Sequence, residues 1–459
     1  MNNITKKIHD IVGTQGLIVG EDVKSRKADF FGQCENLAMA IVRPASTEEL
    51  SQVMKLCFEN NLNVVPWGGV TGLVHGTATK ENDIALSLER MNRIETFDEV
   101  AGTMSVEAGC ILQTIQETAA EKDWLFALDL GARGTATIGG NIATNAGGNQ
   151  VIRYGMMRQQ VLGLEAVLAD GTIISSMNSM LKNNAGYDLK QLFIGSEGTL
   201  GIVTKAVLRL NPLPKSKQTA LLAVDDFSQL TRLLNSLNSE LGGQLTCFEV
   251  MWQNFYQLMV NESKKHQDVL PGEHAYYVLV EAQGSNSERD AELFENVLGD
   301  IIEAGDINDA VIAQSSVQAE KLWAMRDDIE TLAGTLTPVF VFDISIPIVA
   351  MEAYIADIEH SIETQWPESR IVIFGHLGDG NLHLGVSVGD GSLATRQAVE
   401  KIVYQRLEQS NGSVSAEHGI GLEKKDYLSY SRTSNEINLM KTLKQALDPK
   451  GILNPGKVF

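Results

Sequence analysis

The chain has 459 residues, 44% of them hydrophobic and 21% charged. That length favours two or three domains with sizeable cores, and the composition excludes a disordered, collagen-like or membrane protein. Lys and Arg total 37 against 58 Asp and Glu, a formal net charge of -21, which repels polyanions over most of the surface and excludes a general nucleic-acid binder. The four cysteines, Cys34, Cys57, Cys110 and Cys247, form no C-x-x-C pair, so an iron–sulfur or zinc site built from them alone is not expected. No apolar run reaches the length of a membrane span and the N-terminus has no signal-like region, so the expectation is a cytoplasmic protein without a transmembrane segment.

Along the chain, Ala40 to Pro44 form a short apolar run ending in Pro. Ser46-Thr47-Glu48-Glu49 is a capping-box pattern opening an amphipathic helix to about Asn60. Strand-like segments follow at Val64–Pro66, Ile84–Leu88, Ile94–Phe97 and Met104–Val106, then a helix from about Ile111. From Gly131 to Gly201 glycine occurs 13 times in 71 residues, against a usual frequency of about 7%. Such density implies backbone with φ > 0 or in close approach to a bound group, with an ordinary loop-rich turn region as the competing reading. Asn211-Pro212-Leu213-Pro214 ends this half. Beyond it, Ala220–Val224, Ala275–Glu281 and Val339–Ile346 read as strands, and Phe227–Leu241, Ser287–Glu303 and Val317–Leu332 as helices, an α+β pattern.

Three glycine segments carry the first half's chemistry. Pro66-Trp67-Gly68-Gly69-Val70-Thr71-Gly72-Leu73-Val74-His75-Gly76 follows a strand and can turn backbone N–H groups into one concavity suited to phosphate oxygens, though a tight turn competes as a reading. It is neither G-x-G-x-x-G nor a Walker A sequence. Gly131 to Asn149 is nearly all small residues with hydroxyl and amide side chains, suited to a large polar cofactor lying flat against the chain. The third segment reads Asn184-Ala185-Gly186-Tyr187-Asp188-Leu189, then Leu192-Phe193-Ile194-Gly195-Ser196-Glu197-Gly198-Thr199-Leu200-Gly201-Ile202-Val203.

Together these segments resemble, from about Ala40 to Pro214, the FAD-binding domain of the vanillyl-alcohol-oxidase/p-cresol-methylhydroxylase type. The resemblance implies FAD held between two α+β subdomains. Its contacts would come from Pro66, Gly68, Gly69, Val70, Thr71, Gly72 and Gly76, from Thr135, Gly139, Gly140, Asn141, Asn145, Gly147 and Gly148, and from Glu197, Gly198 and Ile202. Relatives that attach flavin covalently carry the attached His where this chain has Leu73, two residues before His75, which implies non-covalent FAD and a turn role for His75.

A fourth segment, Phe374-Gly375-His376-Leu377-Gly378-Asp379-Gly380-Asn381-Leu382-His383-Leu384, precedes Ser415-Ala416-Glu417-His418-Gly419-Ile420-Gly421. Within one strand His376 and His383 would face opposite ways, but the Gly-Asp-Gly-Asn turn allows both imidazoles to meet. With Glu417 they make a His₂-carboxylate set suited to a divalent metal, with zinc, manganese and iron all open. Asp379 reads as bonding its own turn and stays outside this set.

With the ending Leu447-Asp448-Pro449-Lys450-Gly451-Ile452-Leu453-Asn454-Pro455-Gly456-Lys457, these motifs resemble the C-terminal domain of FAD-linked D-lactate and D-2-hydroxyglutarate dehydrogenases. The likeness implies that His376, His383 and Glu417 ligate the metal, His418 is the base, Arg326 binds the substrate carboxylate and Asn454 lies in a tail returning to the flavin. It also implies the organisation: an N-terminal segment (1–37), an FAD-binding domain (38–214), an α+β substrate or cap domain with the metal (215–425) and a C-terminal segment completing the FAD domain (426–459). The implied reaction oxidises a D-2-hydroxy acid by hydride transfer to flavin N5.

Relatives specific for D-2-hydroxyglutarate carry Lys, Thr and Asn where this chain has Val341, Glu330 and Gly385. That favours an apolar D-2-hydroxy acid, D-lactate or one such as D-mandelate, with D-2-hydroxyglutarate or a glycolate-oxidase-type subunit as alternatives. The absence of a cysteine cluster implies a separate electron acceptor, an electron-transfer flavoprotein, quinone or cytochrome; self-association is open, a homodimer included. A metal hydrolase would leave the glycine segments unexplained, and a catalytically silent flavoprotein would leave the His and Glu set unexplained.

Overall fold

The computed structural model describes residues 3–30, 32 and 34–459. Contacts divide the chain into one unit of Met1–Gly148, Gly155–Leu213 and Glu417–Phe459, and another of Asn149–Tyr154 and Pro214–Ala416. The expected N-terminal segment includes positions 1, 2, 31 and 33, which lie outside the described residues.

In the first unit the strands are β1 (Leu17–Val19), β2 (Ala40–Val42), β3 (Val64–Trp67), β4 (Ile84–Ser87), β5 (Ile94–Asp98), β6 (Thr103–Glu107), β7 (Trp124–Leu125), β8 (Val161–Val167), β9 (Ile173–Ser176), β10 (Ile202–Arg209) and β11 (Asn211–Pro212). One sheet has the order β1-β2-β4-β3, with β4 parallel to both β2 and β3 and β1 antiparallel to β2. A second, antiparallel sheet has the order β5-β6-β10-β8-β9, and β7 pairs with β11. Ile84, Ala85 and Leu86 of β4 are all fully buried, as suits a parallel strand covered on both faces.

The helix Thr47–Glu59 starts where Ser46 accepts the Glu49 amide, while Glu49 Oε2 accepts the Ala45 amide at 2.7 Å, one residue upstream of the reciprocal bond the sequence pattern implies. Leu50, Val53, Met54 and Cys57 form its buried stripe and share a core with Ile8, Val12, Ile84, Met104 and Leu164. β3 then delivers the first glycine loop, and the C-terminal segment returns beside it: the Asn454 N–H donates to Val64 O and the Val64 N–H to Ile452 O, both at 2.8 Å.

In the second unit β12 (Ser216–Val224), β13 (Leu245–Trp252), β14 (Tyr276–Gly284), β15 (Asp309–Ile312), β16 (Phe340–Ser345), β17 (Arg370–Gly375) and β18 (Asn381–Ser387) make an antiparallel sheet in the order β15-β12-β14-β13-β17-β18-β16. Helices Phe227–Glu240 and Ser287–Glu303 lie where the apolar spacing predicts them. The single helix expected over Val317–Leu332 is instead two, Ser316–Asp327 and Ile329–Thr335. Asp328 causes the break: it accepts the Thr331 amide as the second helix's cap and pairs with Lys265 at 2.8 Å and His266 at 2.9 Å.

Two boundaries differ from the expected 215–425 and 426–459 division. The first unit resumes at Glu417, because Glu197 accepts the amides of Ile420 (2.7 Å) and Gly421 (2.8 Å) and Val74 O accepts that of Leu422 at 2.9 Å. Residues Asn149–Tyr154 join the second unit, where Arg153 Nη1 donates to Gln283 O at 2.6 Å.

Candidate functional site

Within the first unit the glycine segments enclose a cavity of about 360 Å³. It is lined by Pro66, Gly68, Gly69, Val70, Thr71, Gly72 and Gly76, by Gly139, Gly140, Asn141 and Gly147, by Glu197, Gly198 and Ile202, and by Glu417, His418 and Asn454. Three expected contacts, Thr135, Asn145 and Gly148, are not part of this lining. Thr135 O would lie 2.0 Å from a Cβ at Gly69 and Asp129 O 1.8 Å from one at Gly148; Asn145 Oδ1 accepts the Arg158 amide at 2.9 Å. These glycines allow two backbone segments to touch, whereas Gly72 and Gly76 have nothing within 4 Å of a built Cβ.

The lining fits a large polar cofactor. Buried Thr137 Oγ1, Asn141 Oδ1 and Asn454 Oδ1 have no protein hydrogen-bond partner, and all three residues line the cavity; such atoms normally meet a ligand or water. Val70, Glu197 and Asn454 have φ of 53°, 51° and 41°, and left-handed backbone at a β-branched residue is a strain found at functional loops. Thr137 was not among the expected contacts; its place, two residues before Gly139-Gly140, was the available signal.

Glu197 braces this wall. Its carboxylate takes the amides of Ile420 and Gly421, and its carbonyl accepts Asn454 Nδ2 at 2.8 Å. Burial pushes its carboxyl above the usual range, against the pull of those amides and Lys424. His75 points elsewhere: its Nδ1 lies 3.0 Å from Cys34 Sγ and its Nε2 3.2 Å from Glu423.

In the second unit, β17, a short 3₁₀ turn at Leu377–Asp379 and β18 bring the two expected imidazoles together, with ring centroids of His376 and His383 5.4 Å apart. Gly380, at φ 88°, makes the reversal. Asp379 accepts the Asn381 amide at 3.1 Å within the turn, and burial pushes its carboxyl up to about 6. His376 Nδ1 lies 2.5 Å from Glu249 Oε1, and Arg326 Nη2 lies 3.3 Å from His376 Nε2. Arginine only donates, so Nε2 is the acceptor and Nδ1 carries the proton toward Glu249. That is the tautomer of a metal-ligating histidine oriented by a carboxylate. His383 Nδ1 is 3.9 Å from Asp343 Oδ1, and Asp343 accepts hydrogen bonds from Asn381 Nδ2 (2.7 Å) and from the amide of Ala416 (3.2 Å), the residue joined to Glu417.

Arg326 is 6% exposed, and its Nε and Nη2 are both 2.8 Å from Glu249 Oε2. The Nε–Nη2 edge is thus committed to a protein carboxylate rather than presented for a substrate; Nη1 donates to Asp327 at 3.2 Å. Glu249 and Asp343 were not among the expected site residues. A single acid within the wholly buried strand Leu245–Trp252 was the signal for Glu249, since a buried charge requires partners.

Residues 38–176 match the family described as FAD binding domain, and residues 213–458 that described as FAD linked oxidases, C-terminal domain. The chain is 39% identical over 439 residues to a mitochondrial D-2-hydroxyglutarate dehydrogenase of Rattus norvegicus (96% of this chain, 81% of the relative). It is 38% identical over 445 residues to a Schizosaccharomyces pombe protein provisionally named a mitochondrial D-lactate dehydrogenase (95% and 84%). A D-2-hydroxyglutarate dehydrogenase of Xanthomonas citri is 39% identical over 429 residues (92% and 89%). Among solved structures, p-cresol methylhydroxylase with substrate bound superposes with a TM-score of 0.78 at 15% identity (100% of this chain, 96% of the other). Alkyldihydroxyacetonephosphate synthase does so with 0.77 at 19% (100% and 86%). The fold is therefore of the expected α+β FAD-binding type. The cytoplasmic expectation is overturned: the rat, S. pombe and Danio rerio relatives are designated mitochondrial, and compartment is set by targeting segments that composition and fold do not report. No helix of the described residues is long and apolar enough to cross a membrane.

Proposed function

The chain belongs to the FAD-linked oxidases that include D-2-hydroxyglutarate and D-lactate dehydrogenases, and is an FAD-dependent oxidoreductase acting on CH–OH; from that premise we propose that it oxidises a D-2-hydroxy acid with an apolar side chain, D-lactate or a larger acid such as D-mandelate, to the 2-oxo acid with a divalent metal. The observation that carries the reading is that Glu417 and His418 line the same cavity of the first unit as the glycine segments.

FAD, when bound, supplies the acceptor of the C2 hydride, and the divalent ion lowers the pKa of the C2 hydroxyl. The cavity's glycines with Thr137, Asn141 and Asn454 hold the flavin. His376, through an Nε2 lone pair that Arg326 Nη2 must first give up, His383 and Glu417 would hold the ion, zinc by its ligand set, with manganese and iron as alternatives. His418 accepts the hydroxyl proton. Arg326 contributes positive charge for the substrate carboxylate, which competes with Asp327 for Nη1. Electrons leave for a separate acceptor, an electron-transfer flavoprotein, a quinone or a cytochrome.

The surroundings of Gly385 support the apolar side chain. Gly385 shares a strand face with His383. A Cβ there would meet side-chain carbons of Val372, Leu332 and Val339 at 3.0, 3.5 and 3.5 Å, and its cross-strand partner is Val341. The second reading, D-2-hydroxyglutarate, is favoured by the names of the rat and Xanthomonas relatives.

Anaerobic stopped-flow absorbance of the FAD- and metal-loaded protein tests this against D-lactate, D-mandelate, D-2-hydroxyglutarate, glycolate and the available L-forms. Fastest flavin bleaching by an apolar D-acid, abolished by chelator, is expected. Fastest bleaching by D-2-hydroxyglutarate overturns the substrate choice, and chelator-insensitive bleaching overturns the metal's part.

A further inference from the structure

The first unit gathers another set of metal-ligating side chains that the reaction does not use. Ligand atoms of Asp29, Cys34 and His75 all lie within 4.8 Å of one another, with Cys34 Sγ 3.0 Å from His75 Nδ1. Asp29, 3% exposed, accepts the backbone N–H of Cys34. Across the ring, His75 Nε2 is 3.2 Å from Glu423 Oε1. An ionised carboxylate only accepts, so Nε2 carries a proton toward Glu423, and in the neutral ring the Nδ1 lone pair then faces the sulfur. A carboxylate oxygen, an imidazole nitrogen and a thiol sulfur, with its exchangeable proton, thus converge. Replacing that proton with a divalent cation satisfies all three, and thiolate plus carboxylate balance its charge.

We propose that Asp29, Cys34 and His75 form a second divalent-metal site, suited to Zn²⁺ by its mixed S, N and O ligands, with Glu423 orienting His75 and water completing the coordination. Binding is an exchange, thiol plus M²⁺ giving metal thiolate plus H⁺, with no change of oxidation state. Thr77 Oγ1 donates to Ala28 O at 2.6 Å and Thr79 Oγ1 to Asn36 Oδ1 at 3.0 Å, so the chain on both sides of Asp29 and Cys34 is tied to the residues after His75. His75 itself is held at φ 55°, a conformation that glycine adopts without strain. Burial, then the hydrogen bond to Asp29 and the charges of Asp29 and Glu423, push the Cys34 thiol up to about 11, which argues against a reactive thiolate nucleophile here. Because Val74, Gly76 and Thr77 line the cavity, the ion would fasten the N-terminal segment to the first glycine loop.

Sulfur distinguishes this site from the His376, His383 and Glu417 set. The FAD-loaded protein, stripped of metal by chelator and titrated with Co²⁺, is expected to bind one ion more per chain than Cys34→Ser. It should also show a thiolate-to-cobalt charge-transfer band that the variant lacks. Glu423→Gln should keep the band and require about 10–100-fold more cobalt to develop it. Equal stoichiometry in wild type and Cys34→Ser overturns the proposal. If Cys34→Ser does not fold, a saturated, folded wild type without the sulfur band overturns it equally.

Discussion

Glu249 is a fully buried charge whose two oxygens do different work. Oε1 takes the Nδ1 proton of His376 and Oε2 the Arg326 guanidinium. Burial by itself would raise the carboxyl, but the Arg326 charge and the hydrogen bonds from His376 and Arg326 outweigh it and hold the group well below the usual carboxylate range. Glu249→Gln keeps the shape and removes the charge, leaving Arg326 a buried cation without its counter-ion at a cost of about 3–5 kcal/mol. It also weakens His376 as a donor through Nε2. The expected outcome is a lower thermal midpoint together with about 10–100-fold weaker Mn²⁺ binding in a calorimetric titration of the FAD-loaded protein. A lower midpoint with unchanged Mn²⁺ affinity reduces Glu249 to a structural role. Such a residue is hard to read from sequence, because its partners lie 77 and 127 positions away; the one available signal, a single acid in an apolar strand, went unread.

At the scale of elements, the C-terminal segment is a strap on the first unit. Lys444 Nζ donates to the carbonyls of Thr199 and Leu453, and Lys457 Nζ to Ala78 O at 2.8 Å. Lys457 is 5% exposed, and burial pushes its ammonium down to about 8. Below pH 8 the group is charged both folded and unfolded, so the burial penalty is fully in force. Between pH 8 and about 10.4 the unfolded chain binds more protons, and stability rises with pH. Relative to Lys457→Met, the wild type should therefore gain up to about 3 kcal/mol across that window, read from urea midpoints at successive pH values; a pH-independent gap removes this account. Much at this scale was legible in the sequence. Helices 227–240 and 287–303 announced themselves by apolar spacing, and the His376–His383 turn by its glycines. The break at Asp328 was not, because its cause lies in Lys265 and His266, more than sixty positions away. Nor was the boundary before Glu417, which is set by amides bonded to Glu197, 223 and 224 positions earlier.

Over the whole molecule the first unit is assembled from three separate stretches of chain, while the second is nearly continuous. Loops of the first two stretches and the start and end of the third meet at the cavity, so a ligand there joins pieces that the peptide chain holds together only at long range. Closing such long loops costs entropy, and a group bound only by the closed arrangement returns stability as RT ln(1 + [L]/Kd), about 2.7 kcal/mol at a hundredfold excess over Kd. Removing FAD should therefore act unevenly. Hydrogen exchange is expected to quicken at β3, β4, the segment Glu417–Lys424 and the Leu453–Asn454 strap, while the interior of β12, β13 and β14, with Leu221, Val250 and Leu279 fully inaccessible, keeps its protection because its core is complete without the cofactor. Equal loss of protection in both units would mean that the flavin stabilises the chain as one cooperative body, and the division into a cofactor-dependent and a cofactor-independent unit would fail.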